Sequence, residues 1–247
     1  MNSNGNTVLI TGGASGIGLA LSRLLIASGN RVVVCGRDRE KLDAAVASLP
    51  GLIAIQADVA EPASRGALVK EVTERFPDLN VLINNAGLLH VSDLTKAAHI
   101  SELKDEIAVN LMAPVELINA LLPTIRTRPS PTLVNVSSGY VFLPSARTAA
   151  YSTTKTALHI YTRTLRYQLA HDGISVVEVM PPAADTAMAS HYAGSKMSPD
   201  LVARKILRGL VKGDDEIVIG ISRWARRLAR LMPATAFAIM NRMEQTP

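Results

Sequence analysis

Tyr151 and Lys155 are the residues of this 247-residue chain best suited to proton chemistry. They bound the segment Tyr151-Ser-Thr-Thr-Lys155, and a separation of four on a helix stacks both side chains on one face. A phenol ordinarily loses its proton near a pKa of roughly 10. A fixed ammonium within about 4–6 Å favours the phenolate and draws that value toward neutrality. The pair therefore predicts a tyrosine that takes a proton from an alcohol or gives one to a carbonyl oxygen. The same spacing arises by chance on many amphipathic helices, so the neighbouring elements have to decide.

Those elements alternate. Apolar, β-rich runs are predicted at 7–11, 31–35, 52–56, 80–84, 132–137, 174–180 and 216–219. Helical patterns lie between them at 16–28, 38–48, 62–75, 101–125 with a break near Pro114, 149–171 and 199–211. Short apolar strands between amphipathic helices imply a Rossmann-type, doubly wound α/β fold: seven parallel strands covered on both faces. No repeat, low-complexity tract or linker divides the chain, so 1–247 reads as one domain with a basic helical extension at about 222–247. Ser138 follows the fifth strand, where open parallel sheets place their ligands. Its hydroxyl is placed to bond the substrate oxygen and the Tyr151 hydroxyl, whereas Ser137 is the better candidate for a turn.

The first strand runs directly into Thr11-Gly-Gly-Ala-Ser-Gly16-Ile-Gly18 and a helix. Glycines let the backbone turn tightly and approach a ligand, and a helix N-terminus offers free N–H groups to a diphosphate. At the first strand–helix junction of an alternating chain, such a loop points to a dinucleotide. Enzymes using NAD usually carry a carboxylate at the end of the second strand to hold the ribose 2′-OH. Gly36 occupies that position here, and Arg37 follows it. A guanidinium suits a 2′-phosphate, so NADP(H) is expected over NAD(H). Asp38 is better explained as a helix cap.

Composition narrows the setting. Charged residues are 19% and hydrophobic ones 48%, which fits a globular core rather than disorder. The net charge of +5 is compatible with nucleic acid, an anionic membrane or a phosphorylated ligand. Aromatics are only 4%, so no aromatic-interleaved basic patch exists and nucleic acid is not expected. No signal peptide or transmembrane segment is evident, and a single cysteine excludes an internal disulfide, so a cytoplasmic setting is expected. The five histidines and Cys35 show no metal-ligand spacing.

The glycine loop, Asn84-Asn-Ala-Gly87, Asn110, Ser138 and Tyr151-x-x-x-Lys155 together resemble the short-chain dehydrogenase/reductase family over nearly the whole chain. Pro77 to Gly87, Met180-Pro-Pro-Ala-Ala-Asp-Thr-Ala187 and Gly213-Asp-Asp-Glu-Ile217 resemble its DltE-like branch. The resemblance implies an oxidoreductase moving a hydride between NADP(H) and a carbonyl or alcohol substrate. It implies catalytic roles for Asn110, Ser138, Tyr151 and Lys155, with Lys155 also on the nicotinamide ribose and Asn110 holding a water. Cofactor contacts are implied at Gly12, Ser15, Gly16, Ile17, Gly18, Arg37, Asp58, Val59, Asn85, Ala86, Gly87, Pro181, Ala184 and Thr186. Plainer roles stand beside these: a backbone-satisfied Asn110, a turn at Asn84–Gly87, an N-cap at Asp58. Pro182 departs from the family's usual Pro-Gly and removes an N–H beside the nicotinamide site.

Leu88, His90, Val141, Phe142 and the stretch 188–197 are the expected substrate walls, favouring a hydrophobic or aromatic carbonyl compound. Trp224, Leu228 and Leu231 recur at helical spacing among arginines. Docking onto the domain, a subunit interface and an anionic membrane surface are the three readings of that segment. The resemblance also implies a homodimer or homotetramer through the long middle helices. A cofactor-sensing regulator or an envelope accessory protein is the alternative function.

Overall fold

A computed structural model of the chain describes residues 1–91, 95 and 98–245, with side chains through 242 at the C-terminal end. The last residues of the extension expected at 222–247 thus lie outside the described residues.

Seven strands form one parallel sheet in the order β3-β2-β1-β4-β5-β6-β7. They are β1 (Thr7–Thr11), β2 (Arg31–Gly36), β3 (Leu52–Gln56), β4 (Val81–Asn84), β5 (Thr132–Val136), β6 (Ser175–Met180) and β7 (Glu216–Val218). The helices between them are α1 (Gly16–Ala27), α2 (Arg39–Ser48), α3 (Pro62–Arg75), α4 (His99–Ile107), α5 (Ala113–Ile125), α6 (Ala149–Gln168) and α7 (Pro199–Lys212). Two more, α8 (Ser222–Leu231) and α9 (Pro233–Gln245), follow the last strand.

Strand alternation builds the two layers. Val8 and Ile10 of β1 pack into the cluster with Leu21 and Leu25 of α1 and Val202 and Ile206 of α7. Leu9, between them, points into the opposite cluster with Leu117, Ile118 and Leu121 of α5 and Leu165 of α6. All these side chains are nearly or fully removed from water. Each such burial contributes about 1.5–3 kcal/mol, which is why the strands read as continuous apolar runs.

The strand order reverses between β1 and β4, which are hydrogen-bonded neighbours. Successive crossovers leave that point in opposite directions and open a crevice at the strand C-termini. The crevice is tied together there: Thr11 Oγ1 accepts from the Asn85 and Ala86 amides, each at 3.0 Å. Asn85 Nδ2 returns to the carbonyls of Thr11 and Gly12 at 2.9 and 3.1 Å.

The long central helix differs from expectation. Its irregularity is not a break at Pro114 but a π-helical turn over Ala108–Met112, with Pro114 sitting harmlessly in the first turn of α5. The continuous run His99–Ile125 is also long and apolar enough, by length and composition, to cross a membrane. It serves as a core helix, burying Leu117, Ile118, Leu121 and Ile125 in the sheet-side cluster.

Candidate active site

One cavity of about 1040 Å³ runs over the C-terminal ends of the strands. The turn after β1 forms one end. Gly12 and Gly16 take φ of +64° and +52°, a left-handed backbone that favours glycine. A Cβ at Gly16 would stand 2.9 Å from Thr186 Cγ2, and one at Gly12 would stand 3.0 Å from Ala86 Cα. The N-cap Ser15 makes no side-chain cap, and no acidic residue stands in the first turn of α1. Free N–H groups and an uncancelled helix dipole therefore face the crevice, which suits a diphosphate. On that observation the loop fits a dinucleotide.

Ser138, Tyr151 and Lys155 converge deeper in the same cavity. Tyr151 and Lys155 lie one turn apart near the start of α6, both buried. Ser138 follows β5, and its hydroxyl is hydrogen-bonded with the Tyr151 hydroxyl. It also accepts from the Tyr140 amide at 3.2 Å. The turn role expected of Ser137 thus falls to Ser138. Ser137 instead donates to Glu178 Oε1 at 2.5 Å in the core of the sheet, whose other oxygen lies 2.7 Å from His159 Nδ1.

The Tyr151 pKa does not fall toward neutrality in the protein alone, contrary to expectation. Burial pushes the phenol up to about 12, with the Ser138 hydrogen bond opposing and the Glu106 charge adding to the rise. Burial likewise brings Lys155 down to about 8, against the pull of Glu106 and Glu178. The ammonium donates to the Val136 carbonyl at 2.9 Å and sits 5.7 Å from the centroid of the Tyr151 ring, over its face. Desolvation of both groups therefore outweighs their mutual effect.

Asn110 projects from the π-helical turn. It accepts from the Leu88 amide and donates to the Leu88 carbonyl, both at 2.8 Å, and donates to Thr154 Oγ1 at 3.1 Å. Its amide is thus satisfied by protein groups, the plainer of the two roles expected for it. Glu106, one turn earlier and fully buried, accepts from the His90 amide at 2.7 Å. Burial holds its carboxyl above the ordinary range. Together Glu106 and Asn110 clamp residues 88–90 beside Gly87, where a Cβ would lie 3.8 Å from Lys155 Nζ.

Gly12, Ser15, Gly16, Ile17, Asn85, Ala86, Gly87, Pro181, Ala184 and Thr186 all line the cavity. Gly18, Arg37, Asp58, Val59 and Asn110 do not. A Cβ at Gly18 would collide with the Gly12 carbonyl oxygen, so that glycine packs the turn rather than meeting a ligand. Asp58 Oδ1 accepts from the Ala60 amide at 2.9 Å, and Val59 is buried in the core. Arg37 is exposed just beyond β2, two residues after Cys35, whose carbonyl accepts from the Gly12 amide at 2.8 Å. Asp38 caps α2 through the Lys41 amide, as expected. The loop after β6 keeps a regular course despite Pro182. The Pro181 carbonyl accepts from Gly139, and Met197 pairs with Ala183 and Asp185 through backbone hydrogen bonds.

The expected walls hold in part. Met188 and Tyr192 of the stretch 188–197 line the cavity, whereas Leu88, His90, Val141 and Phe142 do not, and Leu89, Tyr140 and Leu143 stand there in their place. Leu88 and His90 are turned to the 106–110 clamp, and Phe142 packs between His159 and Arg226. Sequence reasoning also missed that α8 and α9 supply wall residues, and that Glu106 and Glu178 are buried beside the site. An acidic residue inside Val176-Val-Glu-Val-Met180 was the available signal for the latter.

Comparison with known proteins identifies the family and the fold. A family model described as short chain dehydrogenase matches residues 6–196. The chain is 38% identical over 226 residues to a Bacillus subtilis protein named uncharacterized oxidoreductase DltE, covering 88% of this chain and 89% of that one. Among solved structures, a short-chain dehydrogenase from Burkholderia cenocepacia shares the fold with a TM-score of 0.87, at 24% identity and complete coverage of both chains. One from Sphingobium yanoikuyae, in complex with NADPH, gives 0.80 at 27% identity, covering 93% of this chain and 95% of that one. The chain belongs to the short-chain dehydrogenase/reductase family of oxidoreductases.

Proposed function

We propose that this protein interconverts a carbonyl compound and its alcohol with NADP(H), using Tyr151 to move the proton. The observation that carries this reading is the convergence of Ser138, Tyr151 and Lys155 in the cavity that also contains the glycine turn. A bound nicotinamide dinucleotide supplies or accepts the hydride. The residues that would hold it are Gly12 to Ile17 at the diphosphate, Asn85 to Gly87 and Pro181 to Thr186 along its length, and Lys155 at the ribose. Asp58 and Val59 belong to the adenine side in the family pattern, though their side chains serve the fold here.

The protonation states follow from the site. At pH 7 Tyr151 keeps its proton and Lys155 keeps its charge. That combination is set for reduction. As the carbonyl carbon gains the hydride and its electron pair, the C=O π electrons move onto oxygen. Oxygen then takes the Tyr151 proton. The resulting phenolate is stabilised by the Ser138 hydroxyl and the nearby ammonium. Oxidation runs the same transfers backwards. Asn110 acts through the backbone it holds at residue 88 and through Thr154.

NADP(H) is preferred in this reading because Gly36 brings no carboxylate and Arg37 brings an exposed guanidinium. The NADPH complex of the Sphingobium yanoikuyae relative supports it. The same reading treats the chain as one domain extended by α8 and α9, working as a homo-oligomer in a reducing, cytoplasmic setting compatible with the single buried Cys35.

A panel of ketones, aldehydes and secondary alcohols, followed at the NADPH absorbance band, tests the activity. Tyr151→Phe is expected to lower turnover by about 10²–10⁴-fold while NADPH affinity stays within about twofold. Undiminished turnover in that variant overturns the assignment.

A further inference from the structure

We propose, resting on the hydride-transfer reading above, that α8 and α9 recognise an amphiphilic substrate: an extended apolar chain bearing the reactive oxygen and ending in an anionic group held by Arg227. The cavity that contains Ser138 and Tyr151 continues without interruption to Trp224, Leu228, Leu231, Ile239 and Met240. Its volume of about 1040 Å³ stands at the top of the roughly 300–1,000 Å³ span of small-molecule sites.

The wall is built rather than incidental. Ile221, Trp224, Leu228 and Leu231 form one stripe along α8, at helical spacing, and all four face the cavity. Trp224 and Leu231 are nonetheless 68% and 79% exposed, so the stripe has no protein partner sufficient to cover it. The helix itself is fixed. Ser222 packs beside Gly139, next to Ser138, and Arg223 Nε donates to the Val218 carbonyl at 2.8 Å. Asn241 of α9 accepts from the Ala146 amide at 2.6 Å and donates to the Pro144 carbonyl at 3.3 Å.

Charge supplies the other half. Arg226 is paired with Glu216 at 2.8 Å, and Arg23, also on the wall, with Asp200 at 3.2 Å. Arg227 lines the cavity with its guanidinium 5.4 Å from the Trp224 ring centroid and, among the described residues, has no carboxylate partner. An apolar stripe that starts near the reacting atoms and carries a free cation on the same helix fits a chain with an anionic end.

Trp224 is the protein's single tryptophan, so its emission reports occupancy directly. The full-length protein would be titrated with straight-chain carboxylates of four, eight and twelve carbons, and with the matching primary alcohols, all below micelle-forming concentrations. A blue shift of emission is expected, with affinity rising by up to about fourfold per methylene and carboxylates binding about tenfold tighter than alcohols. Arg227→Gln should erase the preference for carboxylate and keep the length dependence. Leu231→Asp, at a position exposed enough not to threaten folding, should weaken the twelve-carbon probe about tenfold and the four-carbon probe little. No emission response, length-independent affinity or an unaltered carboxylate preference in Arg227→Gln overturns the proposal. A response to phosphatidylglycerol vesicles without one to the monomeric series overturns it in favour of a bilayer-facing surface. Binding needs no hydride transfer. Turnover of short ketones without long-chain binding therefore defeats this inference alone, and binding without any turnover defeats the reading beneath it and the ligand's role as substrate while leaving the recognition by α8 and Arg227 standing.

Discussion

At Lys155 the cost of burial is local. An ammonium that is 3% exposed donates to the Val136 carbonyl, and its pKa falls from the ordinary 10.5 to about 8. The folded state therefore disfavours the charged form, so the unfolded chain binds more protons between about pH 8 and 10.5. This contribution is destabilising in full below about pH 8 and fades as pH rises to 10.5. Lys155→Met should raise stability at pH 7 by about 1–2 kcal/mol, read by urea unfolding, while turnover falls at least about 100-fold. A variant that is both inactive and less stable would mean the Val136 hydrogen bond outweighs the desolvation. In the intact enzyme the reduction rate should decline above about pH 8 as the ammonium is lost, visible in kcat/KM against pH. Glu106→Gln removes a charge that raises the Lys155 pKa, so its alkaline limb should move to lower pH. A limb unmoved in that variant would show that Glu106 serves only the His90 backbone. A second residue-scale test concerns the cofactor. A Cβ at Gly36 would meet only Leu42 Cδ2, at 3.8 Å, so Gly36→Asp is sterically tolerated. The new carboxylate should shift the ratio of NADH to NADPH kcat/KM at least about tenfold toward NADH. An unchanged ratio would remove the end of β2 from the explanation.

The elements were legible wherever periodicity and capping chemistry agreed. The β1–glycine–α1 junction, the Asp38 cap of α2 and Pro62 opening α3 are all local signals, and each element starts within a residue or two of its expected place. The π-helical turn at Ala108–Met112 was not legible, because a single wider turn leaves the apolar pattern of the helix nearly unchanged. What it alters is direction: it carries Asn110 to Leu88 and Thr154. The Tyr151–Lys155 pairing was readable as spacing, and ten of the cofactor positions implied by the family resemblance line the cavity, but the burial of Glu106 and Glu178 and the cavity's remaining walls depend on which strand end meets which helix. Likewise the apolar stripe of α8 was visible as spacing, while its facing the cavity is a tertiary fact. Gly18 shows how an element-level role hides behind a ligand motif. Its Cβ would strike the Gly12 carbonyl, which is backbone and cannot yield without opening the turn. Gly18→Ala should therefore cost about 1–3 kcal/mol and weaken NADPH binding together, whereas a purely ligand-contacting glycine would lose binding with no change in unfolding midpoint. Paired denaturation and NADPH titration separate the two.

For the molecule as a whole, burial divides the surfaces of the central helices unequally. The inner face of α6 carries Tyr151, Lys155, Leu158, Thr162 and Leu165 into the sheet and the site. Its outer face leaves Ile160 51% and Tyr167 86% exposed, seven residues apart and hence on the same side. Met112, at the end of the π-helical turn, is 41% exposed. Large apolar side chains at that spacing on a long helix are what a self-complementary, two-fold contact requires, since the same patch must serve both subunits. A homo-oligomer built on α6 would also buttress the helix that carries Tyr151 and Lys155, so assembly and catalysis would be linked. The expected outcome is a dimer or tetramer by sedimentation equilibrium, with Ile160→Asp and Tyr167→Asp combined giving monomers through like-charge repulsion across the two-fold. Because both positions face outward, the monomer should stay folded by circular dichroism, and its turnover should fall with its assembly. A wild-type protein already monomeric at micromolar concentration, or a double variant that remains assembled, would move the interface away from α6.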